Sequence, residues 1–496
     1  MPIDFGIYGL DYTRELCLAI ERYTASAVAR DSSAYIYRGM QLRYAVERWL
    51  YIVGINSEVL FSHYLARIGV SHSVALPIMD PVESDIAFFL STHRSVNEHP
   101  QRRMGRWFID TARRAYGLLR RWRPRVDLEK MPIQVGGTLI HVINVKFASY
   151  LEPITNELNP DSFAYLVTSD VWLYEQLSQR GLPVVEFPNQ GALSHHVFCS
   201  YALSDFPQIV HDACTVLSAL RTLQPKCVLV VEGNAPKDVL TAEASRLLRI
   251  PCYCIQQGWS PYVHSGFRNM NYTEMFVWGD RFAELLRPHN PGQVFRVTGS
   301  HVLKTEDHPS VRSVVNTLSF FLQAPCALLG SQTYADFVGL IVSVAHAHRH
   351  VRVIVREHPG FPLPDESRQK LQGCTNIHFS NPRTELLSDV IAVSDLVISI
   401  FSTVLLEAIA KNVVPLICSI GAIRQYEPPI AELGAAIEVQ STEDALRVID
   451  EVIADPKRLT AIRNAMAAIS GEFFFPNGSA KTIAALVENV RYSSHL

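Results

Sequence analysis

The stretch Asp395-Leu396-Val397-Ile398-Ser399-Ile400-Phe401-Ser402-Thr403-Val404-Leu405-Leu406-Glu407-Ala408 decides the architecture of this chain. Its first half is a short apolar run bounded by polar residues, the pattern of a strand buried on both faces. Two hydroxyl residues follow, and then a helical stretch for which Ser402 is a natural N-cap. A buried strand feeding a capped helix is the repeating unit of a parallel α/β sheet. The free backbone N–H groups at that helix start point at whatever lies above the strand, which makes an anion site suited to phosphate. Glu407 stands one helical turn further in, placed to accept from a ribose diol.

Outward from this point the same rhythm recurs. Short runs at Leu139–Val145, Phe163–Thr168, Pro183–Phe187, Cys227–Glu232 and Cys252–Gln256 form one series, and Pro325–Leu329, Val351–Val355, Leu396–Ser399 and Val414–Cys418 form a second. Two consecutive series, with a change of rhythm near 300–324, predict an α/β protein with two doubly wound, Rossmann-like domains facing each other across a cleft. Boundaries follow at 131–310 and 311–475, with a helix at 476–496. Residues 1–130 read as mostly helical and carry no recognisable chemistry. Their end, 101–125, is rich in Arg interleaved with Trp107, Phe108, Tyr116 and Trp122, a composition that suits either an anionic membrane surface or a solvated helix face packed on the next domain.

Composition narrows the class. Of 496 residues, 48% are hydrophobic and 19% charged, so a disordered chain is excluded. Lys and Arg total 45 against 48 Asp and Glu, a formal charge of −3 that removes the electrostatic case for a nucleic-acid binder. The nine cysteines are scattered and mostly inside apolar runs, which predicts buried reduced thiols. The start of the chain shows no basic region followed by an apolar core, and the uncharged stretch Ser313–Ala335 is broken by polar residues, so the expected location is cytoplasmic or peripheral on the cytoplasmic face of the inner membrane.

Two further stretches carry chemistry. Arg356-Glu357-His358-Pro359-Gly360 follows the strand at Val351–Val355, and a His at a strand's carboxyl end can donate to phosphate or stabilise a leaving phosphate. In the first series, Glu232-Gly233-Asn234-Ala235-Pro236-Lys237-Asp238 follows a strand, and Gln256-Gln257-Gly258-Trp259 follows the next. Glu232 is the first candidate for a general base or sugar-capturing nucleophile. Asp238 competes with it, or caps the helix that follows. Gln256, His264, Arg268 and the pair His195-His196 are weaker candidates for sugar or acceptor binding. Phosphate-loop, dinucleotide, metal-helix and nucleophile-elbow motifs do not occur, and a metal-free, cofactor-free site is the expectation.

Together Glu232-Gly233-Asn234, Ile255-Gln256-Gln257-Gly258, Phe276-Val277-Trp278-Gly279-Asp280, Val297-Thr298-Gly299-Ser300, Arg356-Glu357-His358-Pro359 and Ser402-Thr403-Val404-Leu405-Leu406-Glu407-Ala408 resemble bacterial surface-polysaccharide glycosyltransferases of GT-B fold. Within that group the acidic-Gly, His-Pro and Ser/Thr elements are similar to those of CMP-Kdo-dependent Kdo transferases and bacterial sialyltransferases. The resemblance implies a CMP-activated 2-keto sugar acid as donor, a glycan or glycolipid of capsule or O-antigen synthesis as acceptor, and a last helix that crosses back to the first domain. It places His358, Ser402 and Thr403 on the nucleotide phosphate, Glu407 on ribose and Glu232 on the catalytic carboxylate, with Arg356 a further nucleotide-binding candidate. Val231 stands where sialyltransferases carry a second acid and Gln257 where relatives carry His, which favours Kdo over sialic acid. Retention through a sugar–carboxylate intermediate is preferred to inversion. The alternatives are a CDP-glycerol or CDP-ribitol polyol-phosphate transferase, a UDP-sugar 2-epimerase of the same fold, and a non-catalytic scaffold of a polysaccharide-assembly complex.

Overall fold

The computed structural model describes residues 8–70, 86–87, 89–90, 136–187, 201–203, 205–260, 262–303, 314–323, 329–420, 427–474 and 479–490. The Arg-rich segment 101–125 and His195-His196 lie outside the described residues. The chain begins with helix α1 (Gly9–Arg30), a small hairpin of β1 (Ile36–Tyr37) and β2 (Met40–Gln41), and helices α2 (Arg43–Gly54) and α3 (Glu58–Arg67).

A first sheet follows: β3 (Thr138–His141), β4 (Phe163–Thr168), β5 (Val184–Phe187), β6 (Cys227–Val231), β7 (Cys252–Ile255), β8 (Glu274–Val277) and β9 (Phe295–Val297). Its helices are α4 (Val145–Thr155), α5 (Val171–Gln179), α6 (Pro207–Leu223), α7 (Pro236–Leu247) and α8 (Asp280–Leu286). The strands are all parallel, in the order β5-β4-β3-β6-β7-β8-β9. The second sheet holds β10 (Thr317–Phe321), β11 (Arg352–Arg356), β12 (Ile377–Ser380), β13 (Leu396–Ser399), β14 (Val414–Cys418) and β15 (Ile437–Val439). It is also parallel, ordered β12-β11-β10-β13-β14-β15. Its helices are α9 (Ser331–Ala347), α10 (Asp365–Gln372), α11 (Leu387–Val393), α12 (Thr403–Ala410) and α13 (Thr442–Ala454). Every residue of β4, β6, β10, β13 and β14 is buried, which is why these segments read as continuous apolar runs rather than alternating ones. In each sheet the strand order reverses beside the first strand, at β3/β6 and at β10/β13, and crevices for ligands open outside the carboxyl ends there.

Two expectations are corrected. The run Leu139–Val145 is not one strand: β3 ends at His141, and Asn144, whose side chain accepts from Lys146 N at 3.0 Å, caps α4. The central strand of the second sheet is Thr317–Phe321 rather than Pro325–Leu329, of which 325–328 lie outside the described residues. Asp395 Oδ2 anchors its start by accepting from Asn316 N and Thr317 N at 2.8 and 2.9 Å.

The N-terminal helices form part of the first unit. Arg48 on α2 is buried at 1% exposure, and its guanidinium donates to the carbonyls of Gly266 and Arg268 at 3.2 and 3.0 Å. Helix α14 (Lys457–Phe474) returns from the second unit and inserts Phe473 and Phe474 beside Phe282 and Trp278. A Cβ on Gly279 would collide with the backbone of Glu472 and Phe473, so only glycine admits this approach. Ser300 N, after Gly299 at φ +83, donates to Phe474 O at 3.3 Å. Helix α15 (Ser479–Glu488) then places Ile483, Ala484 and Val487 in one apolar cluster with Ile140, Leu151 and Leu229 of the first unit.

Candidate functional site

At the switch point of the first sheet, Glu232 follows β6 directly. Its N–H donates to Ile255 O at 2.8 Å, and its backbone is left-handed at φ +69. A non-glycine residue in that region is uncommon and strained, and such strain concentrates at functional positions. Gly233 continues at φ +73; a Cβ there would strike Cys254 Sγ and Tyr272, whose hydroxyl donates to Gly233 O at 2.9 Å. The glycine thus permits the turn that carries Glu232 off the strand end. Burial raises the Glu232 carboxyl above its ordinary range, with Lys146 and a hydrogen bond from the Asn234 side chain opposing the rise.

Asp238 is elsewhere. It is 1% exposed, its Oδ2 accepts from Ala235 N at 3.2 Å at the start of α7, and burial pushes its carboxyl up to about 7. The capping alternative read from the sequence describes this geometry.

Across the switch point, α4 carries Lys146 and Tyr150, four residues apart and therefore on one helix face. Tyr150 Oη donates to Gln256 O at 2.6 Å, and its own carbonyl accepts from His301 Nε2 at 2.7 Å. Gln256 is 1% exposed; its Oε1 accepts from Trp278 N at 3.0 Å, while its Nε2 has no partner among the described residues. Burial raises the Tyr150 hydroxyl, and the charges of Glu407 and Glu232 raise it further. Tyr150 therefore feels the charge of a carboxyl from each unit.

On the second sheet, His358 follows β11 and is exposed. Its Nδ1 accepts from Gly360 N at 3.2 Å, which assigns the proton of the neutral ring to Nε2 and leaves an N–H donor for a ligand. Partial desolvation of the ring and then the charge of Lys146 hold its pKa below the usual value. Ser402 caps α12, accepting from Val404 N at 3.3 Å. Glu407 lies one turn on; burial pushes its carboxyl up to about 7, against the pull of Arg356. Arg356 itself is 7% exposed and donates to Ser380 Oγ at 2.7 Å and Glu385 O at 2.9 Å, so it acts on the site through its charge.

Thr403 is already engaged. Its Oγ1 accepts from Trp259 N at 3.1 Å and donates to Trp259 O at 3.2 Å. Trp259 Nε1 donates to Glu427 O, and Arg14 of α1 lies 3.7 Å from the Glu427 carboxylate. The loop Gln256–Trp259 thus clasps the start of α12 and holds the two units together. His264 and Arg268, expected on the acceptor, are built into the joint with the N-terminal helices. The His264 ring stacks on Tyr51 at 4.9 Å and its Nδ1 accepts from Gly266 N at 3.0 Å; Arg268 donates to Glu21 at 3.0 Å and Val263 O at 3.3 Å.

The structure accordingly places Glu232, His358 and Ser402 at strand ends, with Glu407 one helical turn beyond Ser402, and commits the side chains of Asp238, Gln256, Arg356, Thr403, His264 and Arg268 to structural contacts. Sequence reading missed Lys146 and Tyr150. The signal was Asn144 as an N-cap directly after an apolar run, with a cation and an aromatic four residues apart behind it. Seven of the cysteines are described, all buried and none in a disulfide. Among the described residues no group of three or more His, Cys, Asp or Glu could hold a metal ion, and no helix is long and apolar enough to cross a membrane.

No family model matches the chain, and no curated protein matches it in sequence. Its fold is similar to that of UDP-GlcNAc 2-epimerase from Neisseria meningitidis, with TM-score 0.50 at 16% identity over 71% of this chain and 99% of that one. UDP-GlcNAc 2-epimerase from Methanocaldococcus jannaschii (TM-score 0.47, 16% identity, 71% and 99% covered) and MurG from Acinetobacter baumannii (0.46, 12%, 71% and 99%) are also similar. At these identities the likeness concerns fold alone: two facing parallel α/β units in the GT-B arrangement, preceded here by a helical region.

Proposed function

We propose that this chain is a nucleotide-sugar-dependent glycosyltransferase, with the donor nucleotide on the second sheet and the acceptor on the first. The observation that carries this reading is the meeting of two switch points: Glu232, strained and raised in pKa, on one, and His358 Nε2–H, the start of α12 and Glu407 on the other. Ribose hydroxyls donate to Glu407, and His358 and the helix N–H groups hold the phosphate. The acceptor hydroxyl attacks the anomeric carbon, and the bond from that carbon to the phosphate oxygen breaks. The bonding pair leaves on the phosphate, where His358 stabilises the charge, and Glu232 takes the acceptor proton. A raised carboxyl suits that proton transfer; retention would instead make Glu232 the sugar's covalent partner, detectable as a glycosyl-enzyme mass.

The motif resemblance supports a CMP-activated 2-keto sugar acid as donor, Kdo before sialic acid, with a glycan or glycolipid as acceptor and an anionic membrane surface met by 101–125. The test is a thermal-shift panel with CMP, CDP, UMP, UDP and GDP on wild type and His358→Ala. Stabilisation by CMP alone, lost in the variant, supports that donor; stabilisation by UDP alone overturns it in favour of a UDP-sugar.

A UDP-sugar 2-epimerase is the second reading. Two carboxyls held above their ordinary range on opposite walls, Glu232 and Glu407, are what proton exchange at a sugar carbon requires. Conversion of a UDP-sugar without any acceptor would establish it.

A further inference from the structure

Helix α4 places one residue in the cleft that the proposed reaction has not used. Lys146 stands on its second helical position, just past the carboxyl end of β3 and beside β6, which delivers Glu232. Its partner four residues on, Tyr150, is pinned through Gln256 O and His301, so the face of α4 that carries both is fixed in orientation. Lys146 is exposed, rests its ammonium 5.0 Å from the ring centroid of Phe147, and makes no ion pair among the described residues.

The groups around it come from both units. Its charge is felt by Glu232 on its own sheet and by His358 on the opposite one. The charge of Glu407 reaches Tyr150, on the same helix as Lys146, and Arg356, whose charge acts on Glu407, is already held by Ser380 and Glu385. The α4 face that carries Lys146 is tied through Tyr150 to Gln256 O, and the loop from Gln256 to Trp259 is bonded to Thr403 at the start of α12, so the exposed Lys146 ammonium and the Nε2–H of His358 stand at the facing ends of the two sheets.

We infer that Lys146 is the cationic arm of the first unit and holds an oxyanion of the donor, carried on its phosphate or on a sugar carboxylate, opposite His358. This deepens the nucleotide-sugar reading and rests on it. Because Lys146 reaches from the first unit to a ligand seated on the second, it also couples binding to the closed arrangement held by Trp259 and Thr403.

The experiment is calorimetric titration of CMP, UDP, UDP-GlcNAc and CMP-N-acetylneuraminate into wild type, Lys146→Met, Lys146→Arg and His358→Ala, at low and moderate salt. Lys146→Met is expected to weaken binding about 10-fold or more and to flatten its salt dependence, as loss of a charge-assisted contact does. Lys146→Arg should retain most of the affinity, and the unliganded melting temperature should not move, because Lys146 is exposed. Loss with the bare nucleotides places the oxyanion on phosphate; loss only with the acidic sugar places it on the carboxylate. In ligand-free protein, the NMR titration of His358 should move upward in Lys146→Met. Unchanged affinities in Lys146→Met beside a loss in His358→Ala would overturn the inference and leave the reading of the site standing. Binding of none of the probes by wild type would overturn that reading itself, and an unmoved His358 titration would refute the placement of Lys146 whatever the ligand.

Discussion

Replacing Glu407 by Gln should make the free protein more stable at alkaline pH while weakening its grip on nucleotide. Burial lifts this carboxyl from 4.5 to about 7, so between those values the native state keeps a proton that the unfolded chain has lost, and stability falls as pH rises. The cost is absent below the unfolded pKa and complete above the folded one. A rise of that size corresponds to about 3 kcal/mol at full ionisation, of which about 1 kcal/mol is already present near pH 5.5. The glutamine is nearly isosteric and does not titrate, so its stability advantage should widen by about 2 kcal/mol from about pH 5.5 to about pH 8.5. For a cooperative unit of this size that is roughly 4–8 °C in melting temperature. The assay is the difference in melting temperature between Glu407→Gln and wild type across that range, with nucleotide titrated at each pH. Nucleotide affinity should fall about 10-fold, since an amide offers one acceptor to a diol where an ionised carboxylate offers two. A difference independent of pH would refute the burial argument, and affinity unchanged at alkaline pH would refute the ribose role.

Thr403→Val keeps the shape but leaves Trp259 N and O unpaired, which should cost about 1–3 kcal/mol and loosen the clasp; small-angle scattering would show a larger radius of gyration, and an unchanged radius would mean that the clasp is not what holds the units together. Gly279→Ala should lower the melting temperature by pushing the end of α14 off the first unit, a cost of about 2 kcal/mol or more read from thermal denaturation and Trp278 fluorescence. Arg48→Leu should destabilise by about 3 kcal/mol, because the carbonyls of Gly266 and Arg268 lose their buried donor; stability within experimental error of wild type would show that the N-terminal helices dock by apolar contact alone.

The alternation of apolar runs with helical stretches, and the hydroxyl, carboxylate and histidine residues that end the runs, were legible because parallel strands buried on both faces must be continuous in apolar character. That pattern alone determined the class, the two-unit organisation, and Glu232, His358 and Ser402 as strand-end groups with Glu407 one helical turn beyond. The strand at Thr317–Phe321 was obscured because its Thr and Ser are satisfied only by partners distant in the chain: Thr317 N by Asp395, and Ser319 Oγ by Ser394 at 2.6 Å. What each polar residue does was settled by neighbours that no local window contains. Asp238 and Glu232 are six residues apart, yet one closes a helix end and the other stands at a switch point. Arg268 and His264 were taken up by Glu21 and Tyr51, more than two hundred residues earlier. Thr403 was claimed by a loop of the other unit, and Lys146 gained its place from the strand order that sets β3 beside β6. Residue type and periodicity specify which groups stand at strand ends, since both are local properties of the chain. Burial, charge and hydrogen-bond partners depend on what packs against those ends, and only the tertiary structure assigns them.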